Sequence, residues 1–199
     1  MIRVFVLLIL LLTHLSAFAL EQITSQLQDF TYLRAEFAQE RQLTSPAITL
    51  RSSGELLLSK KEGLWWQQNQ PFGMTLILTD DALLQQLEGE AAQALLASGD
   101  AKMQQFQRLL RDLLVVDLQA LAQHFSLTPL ATTSGWALKL EPKAAPLNQL
   151  FIHFELAGDQ LVKHLTMKDS DGGTTLINFS QHLVSNTPLM EEDRAVFYP

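Results

Sequence analysis

Side chains equipped for chemistry are few in this 199-residue chain, and their spacing keeps them apart. Beyond His14, the histidines are His124, His153, His164 and His182, with no H-x-x-x-H or H-x-H pair to set two imidazoles on one metal. Solvated or core histidines are the simpler reading. Asp169-Ser170-Asp171-Gly172 opens like a calcium loop but lacks the later bidentate Glu, and a hairpin turn explains it better. Ser52-Ser53-Gly54 is not a G-x-S-x-G elbow, no glycine-rich phosphate loop exists, and cysteine is absent. Asp80-Asp81 reads as a solvated turn at a strand end. No catalytic residue, metal or cofactor is expected, and so no enzyme. The feature that stands out is apolar: Trp65 and Trp66 are adjacent on an expected strand, so their side chains leave opposite faces. One can enter a core and the other must meet something else. A packed core is one outcome; a space between sheet and helices for an apolar ligand is the other.

The elements that would position these residues follow from periodicity. Leu20, Ile23, Leu27, Phe30 and Leu33 recur at helical spacing, and Leu33, Ala35 and Phe37 then alternate as a strand. Strands are expected at 49–58, 63–70, 74–79 and 82–87, with a charged turn Lys60-Lys61-Glu62 and a break at Pro71-Phe72-Gly73. The middle reads as helical: an alanine-rich segment over 90–97, then a helix capped by Asp100 and striped by Met103, Phe106, Leu109, Leu110, Leu113 and Leu114. Its back is polar, and a short turn of helix over 118–124 follows. Strands return at 125–130, 135–141, 149–156, 160–168 and 174–184, joined by turn signals such as Asp171-Gly172-Gly173. Tight turns between successive strands predict an antiparallel meander interrupted by a helical insert.

Composition narrows the setting. Met1-Ile2-Arg3, the apolar run Val4–Leu12 and Ala17-Phe18-Ala19 have the form of a secretory signal cut after Ala19. The expected product is Leu20–Pro199, with residues 1–19 removed and 20–199 forming a single domain. Losing Arg3 moves the net charge from −7 to −8, because all acidic residues follow the cut. An acidic chain without a Lys/Arg cluster argues against nucleic acid and anionic membrane surfaces. No later apolar run reaches membrane-spanning length. Without a cysteine after the cut there is no site for a lipid anchor, so a soluble periplasmic protein of a Gram-negative bacterium is expected.

Taken in order, Phe37-Ala38-Gln39, Ser53-Gly54-Glu55-Leu56, Lys60, Gly63-Leu64-Trp65-Trp66, Gln70-Pro71 and Leu76-Ile77-Leu78-Thr79-Asp80 form a pattern. Their order and spacing resemble the LolA-type outer-membrane lipoprotein carriers, and the resemblance continues to Phe197-Tyr198-Pro199. It implies an α+β, mainly β fold: an incomplete antiparallel β-barrel, or half-barrel, closed by a helical lid around an apolar cavity. It further implies a monomeric chaperone that takes lipoprotein acyl chains, or another acylated lipid, from an inner-membrane ABC-type release complex to an outer-membrane lipoprotein receptor. No nucleotide binds such a carrier.

Carried onto this chain, the resemblance puts Leu64, Trp66 and Leu76 on cavity-facing strand positions and Leu27 and Phe30 on the cavity side of the N-terminal helix. Met103, Phe106, Leu109 and Leu110 would line the lid. Two departures from the family pattern stand out. Lys60-Lys61 occupies the place of an Arg that latches the lid in typical members, and lysine lacks the planar fork of donors. The chain also stops at Pro199, short of a C-terminal strand or tail found in some members. Variant branches serve other lipid-export and pigment-lipid systems. The alternatives are a periplasmic docking or regulatory module of the same fold without lipid cargo, and a lipid hydrolase, for which the sequence supplies no triad.

Overall fold

The computed structural model describes residues 18–96 and 109–199. Eleven strands form one antiparallel sheet: β1 (Tyr32–Thr44), β2 (Ala47–Ser59), β3 (Gly63–Gln70), β4 (Met74–Leu78), β5 (Leu83–Leu87), β6 (Gln93–Leu96), β7 (Phe125–Leu130), β8 (Trp136–Pro142), β9 (Phe151–Gly158), β10 (Val162–Asp169) and β11 (Thr174–Ser185). Their order is β6-β5-β4-β3-β2-β1-β11-β10-β9-β8-β7. Two meanders therefore meet where β1 pairs with β11, and β6 and β7 are the edges of the sheet among the described residues. The barrel is incomplete. Register shifts at Arg34/Glu36, Ser53/Gly54, Leu83/Leu84, Val162/His164 and Lys168/Asp169 bend the sheet.

Among the described residues the helices are α1 (residues 18–26), α2 (residues 109–115), α3 (Leu118–His124), α4 (Leu147–Leu150) and α5 (Glu191–Ala195). A Schellman arrangement closes α2, with Val116 at φ 54° and the Asp117 amide donating to the Asp112 carbonyl at 3.0 Å. Valine is a strained choice at positive φ, and burial of Val116 in the core offsets the strain. Asp117 then caps α3 by accepting from the Ala120 amide.

Three local expectations change. The helical stripe ends at residue 26, since the Gln28 amide donates to the Gln160 carbonyl and draws the connector out in extended form. Leu27 and Phe30 thus lie beyond the helix; their three- and four-residue spacing marks contact with the core. The alanine-rich segment supplies β6, whose Ala94 pairs with Leu84, so the need of β5 for a hydrogen-bonded neighbour overrides helix propensity. In β9 the register shift turns Phe151 toward Phe154, 4.8 Å between ring centres, and leaves Ile152 exposed where simple alternation would bury it.

One face of the sheet carries the main core, including Leu33, Phe37, Leu56, Leu58, Leu138, Leu156 and Phe179. The other carries a smaller cluster around Leu57, Ile77 and Phe197, with Tyr32, Trp65, Leu84, Leu189 and Val196 packed against it. The C-terminal segment after β11 is thus a strap across the second face. Arg34 pairs with Asp193, and buried Glu62 accepts from the Tyr198 hydroxyl at 2.8 Å, with Arg194 Nε 3.7 Å away. At the β2–β3 turn Gly63 has φ 124°, and a Cβ there would lie 2.0 Å from the Leu78 carbonyl oxygen, so only glycine fits.

Phe197→Ala should destabilise the protein by about 3–5 kcal/mol, as a large cavity under a packed aromatic does; a lower urea midpoint checks this. The strap should also respond to alkali. The hydrogen bond to Glu62 pushes the Tyr198 phenol above its ordinary 10.0. A raised folded value means that the stabilisation is whole below about pH 10 and is lost as pH rises through the folded value. Melting temperature should therefore fall more steeply above pH 10 in the wild type than in Tyr198→Phe.

Candidate functional site

A partly open space of about 240 Å³ lies between the first face of the sheet and α2. Its construction follows from strand parity. Trp66 pairs with Leu56 on one side and Leu76 on the other, and Leu64 lies two residues back on β3, so Leu64, Trp66 and Leu76 share the inward face. The Trp66 ring stacks on Phe37 at 4.0 Å and meets the edge of Phe179 at 6.2 Å. This aromatic cluster forms the floor. Leu165, Met167 and Ile177 continue the wall on β10 and β11, and Leu110, Leu113 and Leu114 of α2 close it from above.

Of the residues carried over from the family pattern, Leu64, Trp66, Leu76 and Leu110 line this space. Leu27 packs on the surrounding core, and Phe30 and Leu109 are buried within it, all three off the wall. Met103 and Phe106 lie outside the described residues. The sequence reading passed over Gln39, Met167, Ile177 and Phe179. Alternation of Thr175, Ile177 and Phe179 signals an inward face for β11, but nothing local says that β11 lies beside β1.

Lys60 is partnered near the start of the described chain. Its ammonium bonds Asp29 and stands 5.0 Å from the Phe30 ring centre, which ties the β2–β3 turn to the connector after α1. The same ammonium holds the Asp29 carboxyl below its ordinary range. Asp29 is 88 % exposed, so solvent and salt screen this pair. A contact to the lid helix itself comes from elsewhere: Arg111 Nη1 of α2 lies 3.1 Å from Asp80 Oδ1 at the end of β4. Asp80 is therefore more than a solvated turn residue.

A larger hollow of about 360 Å³ lies near the ends of β3 to β5, walled by Gln67, Asn69, Thr75, Gln86 and Glu88 among others. Its polar walls offer a hydrocarbon little, whereas the smaller space under α2 is walled mainly by leucine, isoleucine, methionine and aromatics, with Gln39 and Gln68 as its polar members. Among the described residues no group of three potential ligands is placed to hold a metal ion, and no helix is long and apolar enough to cross a membrane.

Solved structures similar to this chain include a LolA superfamily protein from Nitrosomonas europaea, at 9% identity and TM-score 0.48 over 87% of this chain and 94% of that one. A putative outer membrane lipoprotein-sorting protein domain from Vibrio parahaemolyticus matches at 10% identity and TM-score 0.42, over 88% of this chain and 94% of that one. The MucA/MucB complex of Pseudomonas aeruginosa matches at 16% identity and TM-score 0.45, over 81% of this chain and 54% of that one. No curated protein sequence matches. The family model described as outer membrane lipoprotein carrier protein LolA matches residues 28–192, most of the chain, and the protein belongs to that family.

Proposed function

We propose that this protein is a periplasmic carrier that shelters the acyl chains of lipoproteins, or of a related acylated lipid, between the inner and outer membranes. The observation that carries this reading is the space under α2, whose wall holds no ionisable side chain among the described residues. Residues 1–19 would direct export, and 20–199 would work as one monomeric carrier domain without a cofactor. An inner-membrane ABC-type release complex would load it, and an outer-membrane lipoprotein receptor would empty it.

The energetics suit transfer rather than storage. A buried methylene gains about 0.8 kcal/mol, so a dozen gain roughly 10 kcal/mol and several whole chains gain tens. Release would then be too slow for delivery. The space of about 240 Å³ is smaller than the roughly 300–1,000 Å³ of small-molecule sites, so α2 must move to admit a full chain. Moving it exposes buried Leu113, worth roughly 1.5–3 kcal/mol, and half-buried Leu110 and Leu114, worth less each. Part of the binding energy is offset in this way. The ligand can open the lid only by as much as it prefers the open form.

Native mass spectrometry of the exported protein, with extraction of any bound lipid, tests the reading. Acylated lipid or lipoprotein should accompany the wild type, and Trp66→Ala should weaken retention on the order of tenfold by stripping the aromatic floor. A clean mass with lipoprotein supplied would move the protein to a docking module of the same fold. The Asp80–Arg111 pair gives a second test, of the lid. Asp80→Asn should speed uptake of a fluorescent acyl probe, and added salt should speed uptake by the wild type but not by the variant.

A further inference from the structure

The second strand outruns one of its neighbours. β2 pairs with β1 from Ala47 to Ser59, but β3 accompanies it only from Ser53 and turns away after Gln70. Among the described residues, Ala47–Ser52 therefore has a strand on one side and none on the other. Residues 47–51 are exposed. In an antiparallel ladder alternate residues point their N–H and C=O away from the paired neighbour, a template for another chain. Proteins blunt such edges with Pro, Lys or short length. The strands that end this sheet comply: β6 has four residues and β7 carries Pro129. The free part of β2 contains neither Pro nor Lys, and its one charge, Arg51, donates to Glu40 at 2.8 Å.

The free edge starts where the cavity ends. Gln39 and Gln68, the polar members of the wall, flank β2, with Ser52 opposite Gln39 and Gly54 opposite Gln68. Leu50 and Ile48 pair with Arg41 and Leu43, two and four residues past Gln39, so their side chains continue the cavity's face of the sheet. They are 50 % and 45 % exposed. An apolar strip thus leads out of the cavity beside unpaired backbone. A free lipid has no row of amides to match that backbone, whereas a polypeptide presents one at every second residue. Both arginines along the strip are engaged, Arg41 lying 3.6 Å from Asp169 and Arg51 serving Glu40, so a charged partner gains nothing there. We propose that the free edge of β2 takes, as an added strand, the uncharged extended segment that follows the acylated residue of a lipoprotein. The added strand rests on the carrier reading and narrows its cargo from acylated lipids to acylated polypeptides. Ala47–Ser52, at about 3.3 Å per residue, holds roughly 20 Å of cargo chain. Backbone pairing reads little sequence, so one carrier serves many such segments.

Displacement of a pyrene-labelled dodecyl chain by N-methyldodecanamide and by an N-dodecanoyl peptide of about seven serines and asparagines tests this. In the wild type the acyl peptide should compete about tenfold better than the amide, the surplus of several backbone hydrogen bonds over the ordering of the peptide. N-methylation of alternate peptide amides should abolish that gain in one phase and spare it in the other, because an added strand donates to β2 from every second residue. Alternate amides of 47–52 should gain protection from hydrogen exchange in the complex. The double variant Ile48→Lys, Leu50→Lys should remove most of the gain and leave the amide within about twofold. Equal competition by peptide and amide in the wild type, or a gain that both methylation phases affect alike, overturns the added strand and leaves the carrier reading standing. Dimerisation of the ligand-free protein with 47–52 already protected also overturns it and gives the edge to a second copy. If the labelled chain does not bind at all, the carrier reading and the added strand fall together.

Discussion

Two neighbouring residues of a strand cannot face the same way, and Trp65-Trp66 turns that rule into a demand on the whole molecule. Each indole needs cover, so β3 must be apolar on both faces. On one side Trp66 meets Phe37 and Phe179 and faces α2. On the other, Trp65 packs in the cluster of Leu57, Ile77 and Phe197, which the C-terminal strap completes. A single sheet with helices on one face would have left one tryptophan in water. The strap resolves this from within the chain.

The two covers differ in kind. Phe197 is buried to 1 % exposure, and ion pairs and hydrogen bonds to Arg34 and Glu62 flank it, so that side is closed. The other side keeps an unfilled space under α2. Native cores approach crystal packing density, and a void of this size means lost contacts for its lining. Apolar side chains left partly unpacked are the condition for taking up a hydrocarbon and giving it back. The β2–β3 turn joins the two sides: Lys60 reaches the connector after α1, while Glu62, two residues on, holds the strap.

An open sheet also leaves a site beneath its helices free to widen. A closed barrel of the same strands would fix its interior through continuous hydrogen bonding. Here β6 and β7 remain separate, and the helical insert lies between them in sequence. The cavity thus depends on side-chain packing of α2, with an ion pair from Arg111 to Asp80 beside it, rather than on a complete ladder.

Much of this was legible in the sequence, because alternation and turn chemistry are local. The meanders, their turns, the helix over 118–124 and the opposed tryptophans all follow from neighbouring residues. Leu64, Trp66 and Leu76 share a face because parity is a local property once the turn between their strands is placed. The β1–β11 pairing was not legible, and with it went Phe179, Ile177 and Met167 as members of the wall. Nor was the end of α1, where a hydrogen bond to Gln160 outweighs the stripe, or β6, where a neighbouring edge outweighs alanine. Phe197 gave no periodic signal at all, since a strap is recognised only by what lies beneath it. The sequence by itself determined the strands, their faces and the need to cover both sides of β3. Tertiary structure alone decided what covers them and where a space remains, because contacts between distant segments depend on which edges and surfaces meet.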